Sequence, residues 1–308
     1  MIISEEDIDK AKLAGKIAGK ALIFGRSIIK PGASVVQSLD KIEEFIRDNG
    51  GEMAFPAQVA INDIAAHSCP LADDSSVFKN DDMMKLDLGV HIDGIIADNA
   101  ITLIFEQDND RYEEFQNIRK ASEEALYNVL KAVRPGATLG ELGLIIQESI
   151  AQHDLSPIRN LSGHGLGKFS VHETPTIPNF NTHDKTELAY NQLIAIEPFA
   201  TDGNGMIFES SNTTLFSEIK QQPVRSMITR EILYDIKKFN KLPFTTRWLT
   251  KKHSLAKVHY AFKELKNLGI LHEYPPLIEV KHGIVSQAEH TVIVKDKPII
   301  TTLRDEEL

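Results

Sequence analysis

The sequence predicts an α+β fold in which antiparallel strands are enclosed by helices, arranged as two related halves, with a helical unit inserted late in the chain. Three observations predict it. Ile29-Lys30-Pro31-Gly32-Ala33-Ser34 recurs as Val133-Arg134-Pro135-Gly136-Ala137-Thr138, an offset of 104 positions. The stretch from Met84 to Leu103 carries strand-like patterning on both sides of Asp93-Gly94. Residues 219–272 hold 12 Lys and Arg against three acids, whereas the remainder holds 22 against 41.

Each copy of the repeat reads as helix, Pro-Gly turn, capped helix. Ala21-Leu22 and Ala125-Leu126 correspond upstream, and Ile42 and Ile46 correspond to Ile146 and Ile150 downstream, at helical spacing. Ser34 and Thr138 are the expected N-caps, because a hydroxyl there accepts from an otherwise unpaired backbone N–H. Two such halves facing each other place a site at their junction.

The Asp-Gly pair between alternating strands marks a hairpin with a two-residue turn. Ile92 then faces Ile95, Asp87 faces Ala100, and Gly89 faces Asp98. Asp87 and Asp98 share one face as diagonal neighbours, about 7–8 Å apart between backbones. Carboxylates at that spacing converge on metal ions about 3.5–4 Å apart. Leu86, Leu88, Val90, Ile101 and Leu103 take the opposite face and should pack on helices. The competing reading is two solvated acids on an edge strand, which the depletion of aspartate from strand interiors disfavours.

Three further ligand types follow. His164 lies among glycines in Ser162-Gly163-His164-Gly165-Leu166-Gly167, where the backbone approaches a bound group closely. Glu197 ends the apolar run Leu193–Ile196, and Glu289 precedes the strand-like His290–Val294. His172 offers a second imidazole for substrate contact. Burying carboxylates and an imidazole is costly without compensation. Asp87, Asp98, His164, Glu197 and Glu289 together would repel one another unless cations lay among them. Two divalent metals and the water between them compensate most economically, which points to metal-assisted hydrolysis.

Composition fits a cytoplasmic enzyme. A chain of 308 residues buries a sizeable core as one large domain with an insertion. The N-terminus is acidic where a signal peptide is basic, and no apolar run reaches the roughly 20 residues that span a bilayer. The single cysteine, Cys69, excludes an internal disulfide and fits a reducing compartment. As a nucleophile Cys69 has no basic sequence neighbour to activate it.

The patterns KLDLGVHIDGIIADNA, SGHGLGKFSVHETPTIPN, AIEPF and AEHTVIV resemble, in order, the metal-site blocks of methionine aminopeptidases. The resemblance runs essentially end to end. It implies the pita-bread fold, with helices outside, a curved antiparallel sheet inside and metals at the centre. It also implies two divalent ions (Co, Mn, Fe or Zn). Asp98, His164, Glu197 and Glu289 would bind one, and Asp87 would chelate the second, with Asp98 and Glu289 bridging. His67 and His172 would contact the substrate and the tetrahedral intermediate, and Glu197 would be the general base. The substrate so implied is the N-terminus of a nascent polypeptide with a small second residue. Phe55, Pro56 and Ile61 are candidates, by position, for the apolar pocket that takes the methionine side chain.

Ninety-one residues separate Glu197 from Glu289, far more than a strand connection needs. Type II enzymes of the family carry a helical insertion here, and Tyr274-Pro275-Pro276-Leu277 resembles their pattern. The chain starts almost directly at the catalytic domain, without the long N-terminal extension of eukaryotic type II forms, and most resembles the archaeal form. Ala288 departs from the larger residue of many relatives, which bears on pocket shape. The expected division is a catalytic domain of residues 1–200 and 273–308 and an insertion of 201–272. Ile228, Ile232, Leu233, Ile236 and Phe239 mark one helix of the insertion. Leu255, Val258, Phe262 and Leu265 mark another, and Thr245–Leu249 begins a short one between them, a winged-helix-like unit.

Its basic charge reads either as a solvated face or as a handle for ribosomal RNA through Arg247, Lys251, Lys252 and Lys257. No motif reads DNA, no membrane segment is present, and the chain reads as a monomer. Two alternatives remain open. One is a hydrolase of the same fold that cleaves before proline, a group that usually carries an extra N-terminal domain. The other is a catalytically dead relative acting as a binding module, which would have lost metal ligands.

Overall fold

The computed structural model describes residues 1–304 and 307; positions 305, 306 and 308 of the expected range 273–308 lie outside the described residues. The first half begins with helices α1 (Glu5–Ile28) and α2 (Val35–Asp48). Strands β1 (Glu52–Ile61), β2 (Ile64–Ala66), β3 (Met83–Ile92) and β4 (Ile95–Ile104) follow. The hairpin has the expected register, Asp87 opposite Ala100 and Gly89 opposite Asp98, with Ile92 and Ile95 flanking the turn. Asp93 and Gly94 both take positive φ, 50° and 87°, as a two-residue turn between right-twisted strands requires. Leu86, Leu88, Val90, Ile101 and Leu103 join Leu22, Leu39, Ile42 and Ile46 in one core beneath α1 and α2.

The second half repeats the plan. Helices α3 (Tyr112–Leu130) and α4 (Leu139–Ala151) cover strands β5 (Ser156–Pro157), β6 (Ser162–Gly167), β7 (Ser170–Pro178), β8 (Leu193–Ile196) and β9 (Phe199–Thr201). Ala125, Leu126, Ile146 and Ile150 form its core with Ile194, Ile196 and Val292. The two copies match in hydrogen bonding as well as in sequence. Ser34 caps α2 by accepting from Gln37, and Thr138 caps α4 by accepting from Glu141. Gly32 donates to Phe78 and Gly136 to Leu188, both glycines at φ 81°. Ser34 bridges Val77 as Thr138 bridges Glu187.

Strand β10 (Ile207–Glu209) precedes the helical unit, which runs from β11 (Leu215–Glu218) through α5 (Met227–Ile236), β12 (Phe244–Thr245), α6 (Thr246–Thr250) and α7 (Leu255–Asn267) to β13 (Leu271–Tyr274). Strands β12, β11 and β13 make its small sheet, and Phe216, Ile232, Phe244, Val258, Phe262 and Leu265 make its separate core. Leu255, expected on the apolar stripe of α7, is 42% exposed, since it occupies the first turn beyond that core. The chain returns through β14 (Leu277–Glu279), β15 (Val285–Gln287), β16 (His290–Ile293) and β17 (Ile299–Ile300). Strand β14 pairs with both β10 and β2, so residues 207–209 are tied to the main body. No helix among the described residues is long and apolar enough to cross a membrane.

Candidate metal centre

The curved sheet is built in sections, and the seam between two of them carries the site. Strand β4 of the first half lies beside the segment from β15 to β16, joined through threonine hydroxyls. The Thr291 hydroxyl donates to Asp98 O (2.8 Å) and accepts from Asp98 N (2.7 Å). Thr102 likewise donates to Gln287 O and accepts from Gln287 N, at 2.7 and 2.9 Å. Glu289 N donates to Ala100 O. These bonds hold Asp98 and Glu289 side by side, although they come from opposite ends of the chain.

His164 enters from β6, paired through Ala195 with β8, and Glu197 follows at the end of β8. His164 Nε2 lies 3.4 Å from Glu197 Oε1 and 3.8 Å from Asp98 Oδ2. Its Nδ1, 3.1 Å from Gly165 O, donates there and leaves Nε2 as the lone-pair atom facing the acids. One ligand atom each from Asp98, His164 and Glu289 falls within 4.8 Å of the others. Asp87 and Glu197 line the same cavity of about 230 Å3. The glycines beside His164 are required: a β-carbon on Gly163 would sit 2.4 Å from Ala195 O, and one on Gly165 would sit 2.2 Å from Thr174 O.

Burial, more than mutual repulsion, sets the electrostatics. It pushes Asp87 up to about 7 and holds Asp98, Glu197 and Glu289 well above the usual carboxylate range, with neighbouring carboxylates adding to the last three. Burial also lowers His164 to about 3, so its imidazole is neutral and free to coordinate. Oδ1 of Asp87 and Oδ1 of Asp98 are buried with no hydrogen-bond partner. Unpaired buried carboxylate oxygens with a neutral imidazole are the donor set a divalent cation takes, so these residues fit the metals that the resemblance implies.

The remaining expectations divide. His67 and His172 both line the cavity. His67 sits just past β2 at φ 60°, a left-handed conformation that costs a non-glycine residue about 1 kcal/mol or more. It stands edge-on to Tyr274, with ring centroids 5.7 Å apart, while His172 lies 4.6 Å from the His164 ring. Burial lowers both imidazoles, His67 to about 4. Phe55 lines the cavity, but Pro56 and Ile61 do not. Strand β1 carries irregularities on both sides of Phe55, the second spanning Pro56, and Ile61 packs against the first-half core instead. Leu215, Pro243 and Tyr274, from the helical unit that runs from β11 to β13, complete the wall.

Sequence reasoning missed Gln287, whose amide donates to Glu197 (3.3 Å) and Glu289 (3.4 Å). Its position two residues before Glu289 in an extended segment was the available signal. Cys69 does have a basic neighbour in space, Arg247 at 4.0 Å, yet burial pushes its thiol up to about 11 and keeps it protonated. Arg247 itself, expected on an RNA-facing surface, is only 1% exposed and pairs with Asp40 and Glu43.

A protein of this fold, with four acids and a histidine converging at the junction of two related halves, is a metal-dependent hydrolase. The chain belongs to metallopeptidase family M24, whose model matches residues 9–238. It is 40% identical over 299 residues to a methionine aminopeptidase of Methanocaldococcus jannaschii, covering 96% of this chain and 99% of that one. The solved methionine aminopeptidase of Thermotoga maritima has a TM-score of 0.72 at 22% identity and covers 98% of each chain. A thermophilic Arx1 has a TM-score of 0.84 at 16% identity, covering 97% of this chain and 91% of that one. At such identities the last two likenesses carry the fold alone. The cofactor of this metallopeptidase is a pair of divalent metal ions.

Proposed function

We propose that the chain hydrolyses the first peptide bond of polypeptides and releases their N-terminal methionine. The observation that carries this reading is the convergence of Asp98, His164 and Glu289 within 4.8 Å, at a cavity of only about 230 Å3. That volume is below the roughly 300 Å3 at which drug-sized ligand sites begin, and it suits one terminal side chain. Asp98, His164, Glu197 and Glu289 would hold one ion, and Asp87 would hold the second with the shared Asp98 and Glu289. When bound, the ions polarise the scissile carbonyl and make water a stronger nucleophile at neutral pH.

The chain's own residues do the rest. Glu197, whose carboxylate is made more basic by burial and by the neighbouring acids, takes the proton of the attacking water and passes it to the departing amine. His172 and His67, both neutral, offer N–H groups to the oxygen that gains charge. Phe55, Phe199 and Tyr274 give the thioether an aromatic pocket, a contact sulfur favours. The narrowness of the cavity supports a preference for a small second residue.

Charge supports a further reading, that nascent chains are met at the ribosome. The insertion keeps its basic balance, and Lys251, Lys252 and Lys257 have side chains about half exposed, 53%, 61% and 48%. Each has an acidic neighbour, so the attraction to a polyanion is moderate. Ribosome co-sedimentation should weaken with salt and with replacement of these three lysines by glutamate.

The test of the main reading is methionine release from Met-Ala-Ser by protein stripped of metal and retitrated with Mn, Fe, Co or Zn. Activity should return with metal and vanish in Asp98→Asn. Folded protein that stays inactive with every metal, or that cleaves Xaa-Pro peptides instead, overturns it.

A further inference from the structure

The insertion supplies one wall of the cavity, and a buried charge network ties that wall to the main body. Leu215 and Tyr274 are neighbours across β11 and β13, and Leu215 also pairs with Thr245 of β12. Pro243 immediately precedes β12. Two residues beyond Thr245, in α6, stands Arg247. Its guanidinium donates to Glu43 Oε1 at 2.6 Å and to Glu43 Oε2 at 3.4 Å, and it also bonds Asp40. Trp248 Nε1 donates to Glu43 Oε2 at 2.8 Å, and Lys251 reaches Asp40 at 2.9 Å. Glu43 is fully buried. Both acids lie on α2, which packs on β1, the strand that bears Phe55, which lines the same cavity.

An apolar contact of equal volume would hold a subdomain at least as firmly, because each buried ion costs several kcal/mol of desolvation. What the planar guanidinium adds is direction, a forked geometry that accepts one placement of its carboxylate partner. We propose that Arg247 is a positioning residue for the methionine pocket. Gripped by Glu43 and Asp40, it holds Pro243, Leu215 and Tyr274 at the distance from Phe55 that one unbranched side chain fills. The proposal rests on the methionine-releasing reading for its substrate, though not for its geometry.

Arg247→Met alone leaves the buried Glu43 with only the more distant Arg47, 3.7 Å away, as a cationic partner and is expected to lower the melting temperature, so the informative variant is Glu43→Gln/Arg247→Met. It removes both charges and keeps a carbonyl acceptor for Trp248. In this folded double variant, KM for Met-Ala-Ser should rise about tenfold while kcat stays within about threefold, the pattern of lost side-chain binding. Preference for N-terminal Met over Leu or Phe should fall by a similar factor. Arg247→Lys, which keeps the charge and loses the fork, should fall between.

Two readouts need no turnover. Trp248 is the only tryptophan, so its fluorescence in metal-free protein reports the state of the tie directly. Hydrogen exchange across residues 215–218 and 243–249 should accelerate in the double variant. Wild-type protein that releases no methionine defeats the functional reading, and the exchange arm still decides the geometry. Unchanged exchange in the folded double variant, or unchanged KM and selectivity, overturns the proposal.

Discussion

Gln287 bridges two acids of the site. Its amide donates to Glu197 and Glu289, and it also offers a hydrogen bond that lowers Asp87 against the pull of burial. Groups that orient metal ligands in this way typically contribute about 10–100-fold in metal affinity or activity. Gln287→Ala should weaken divalent-ion binding by such a factor in calorimetry, with little change in far-ultraviolet circular dichroism. Glu197→Gln keeps the shape of the site and removes its base, so kcat should fall about 10²–10⁴-fold. Near-normal turnover in that variant would remove Glu197 from the role of base.

Among elements, the two helix caps show how the halves were built. Ser34 and Thr138 occupy corresponding positions, but only Thr138 has the reciprocal bond, from its backbone N–H to the Glu141 carboxylate at 3.0 Å. Thr138→Ala should therefore cost about 1 kcal/mol of unfolding free energy, and Ser34→Ala no more than that. Lying in different cores, the two losses should add in urea titrations of the double variant. Strand β6 is less forgiving. A β-carbon on Gly165 meets the Thr174 carbonyl, so Gly165→Ala should destabilise by about 1–3 kcal/mol and displace His164 from its neighbours. Loss of metal affinity should accompany the loss of stability, unlike in the cap variants.

Across the whole molecule, the acids at the seam make stability depend on metal and pH together. Asp87, Asp98, Glu197 and Glu289 all have folded values above their unfolded ones. Their contribution is therefore complete below about pH 4 and is lost as pH rises through the folded values, about 7 for Asp87 and well above the usual carboxylate range for the others. Lys85, lowered to about 7 by burial, acts in the opposite sense above neutrality. His67, lowered to about 4, adds stability above pH 6.5 that is lost as pH falls toward 4. Lys85 does not line the metal cavity, and His67, at about 4, is already neutral in the folded protein from pH 5 upward, so neither adds to the difference between metal-free and metal-loaded protein. The gain in melting temperature on adding a divalent ion should thus grow steadily from pH 5 to pH 8. At 100 times Kd the ion contributes about 2.7 kcal/mol. A gain independent of pH would mean that the ion does not displace protons from these carboxyls.

Local chemistry made much of this protein legible in its sequence. The Asp-Gly turn set the register of β3 and β4, because period-two alternation leaves one pairing that buries Leu86, Leu88 and Val90. The repeated Pro-Gly turns and hydroxyl caps marked both halves, and acids inside apolar strands marked the site. Long-range geometry decided the rest. Arg247 read as a surface charge because nothing nearby in sequence is acidic; its partners on α2 lie 204 and 207 positions away. Pro56, next to Phe55, falls on the other face by simple alternation, whereas Ile61 missed the cavity because the irregularity between Phe55 and Gln58 re-aims the strand, an effect that alternation does not foretell. Sequence determined which groups are present and how each strand pairs locally. Tertiary packing alone decided which buried charges meet a metal and which meet one another.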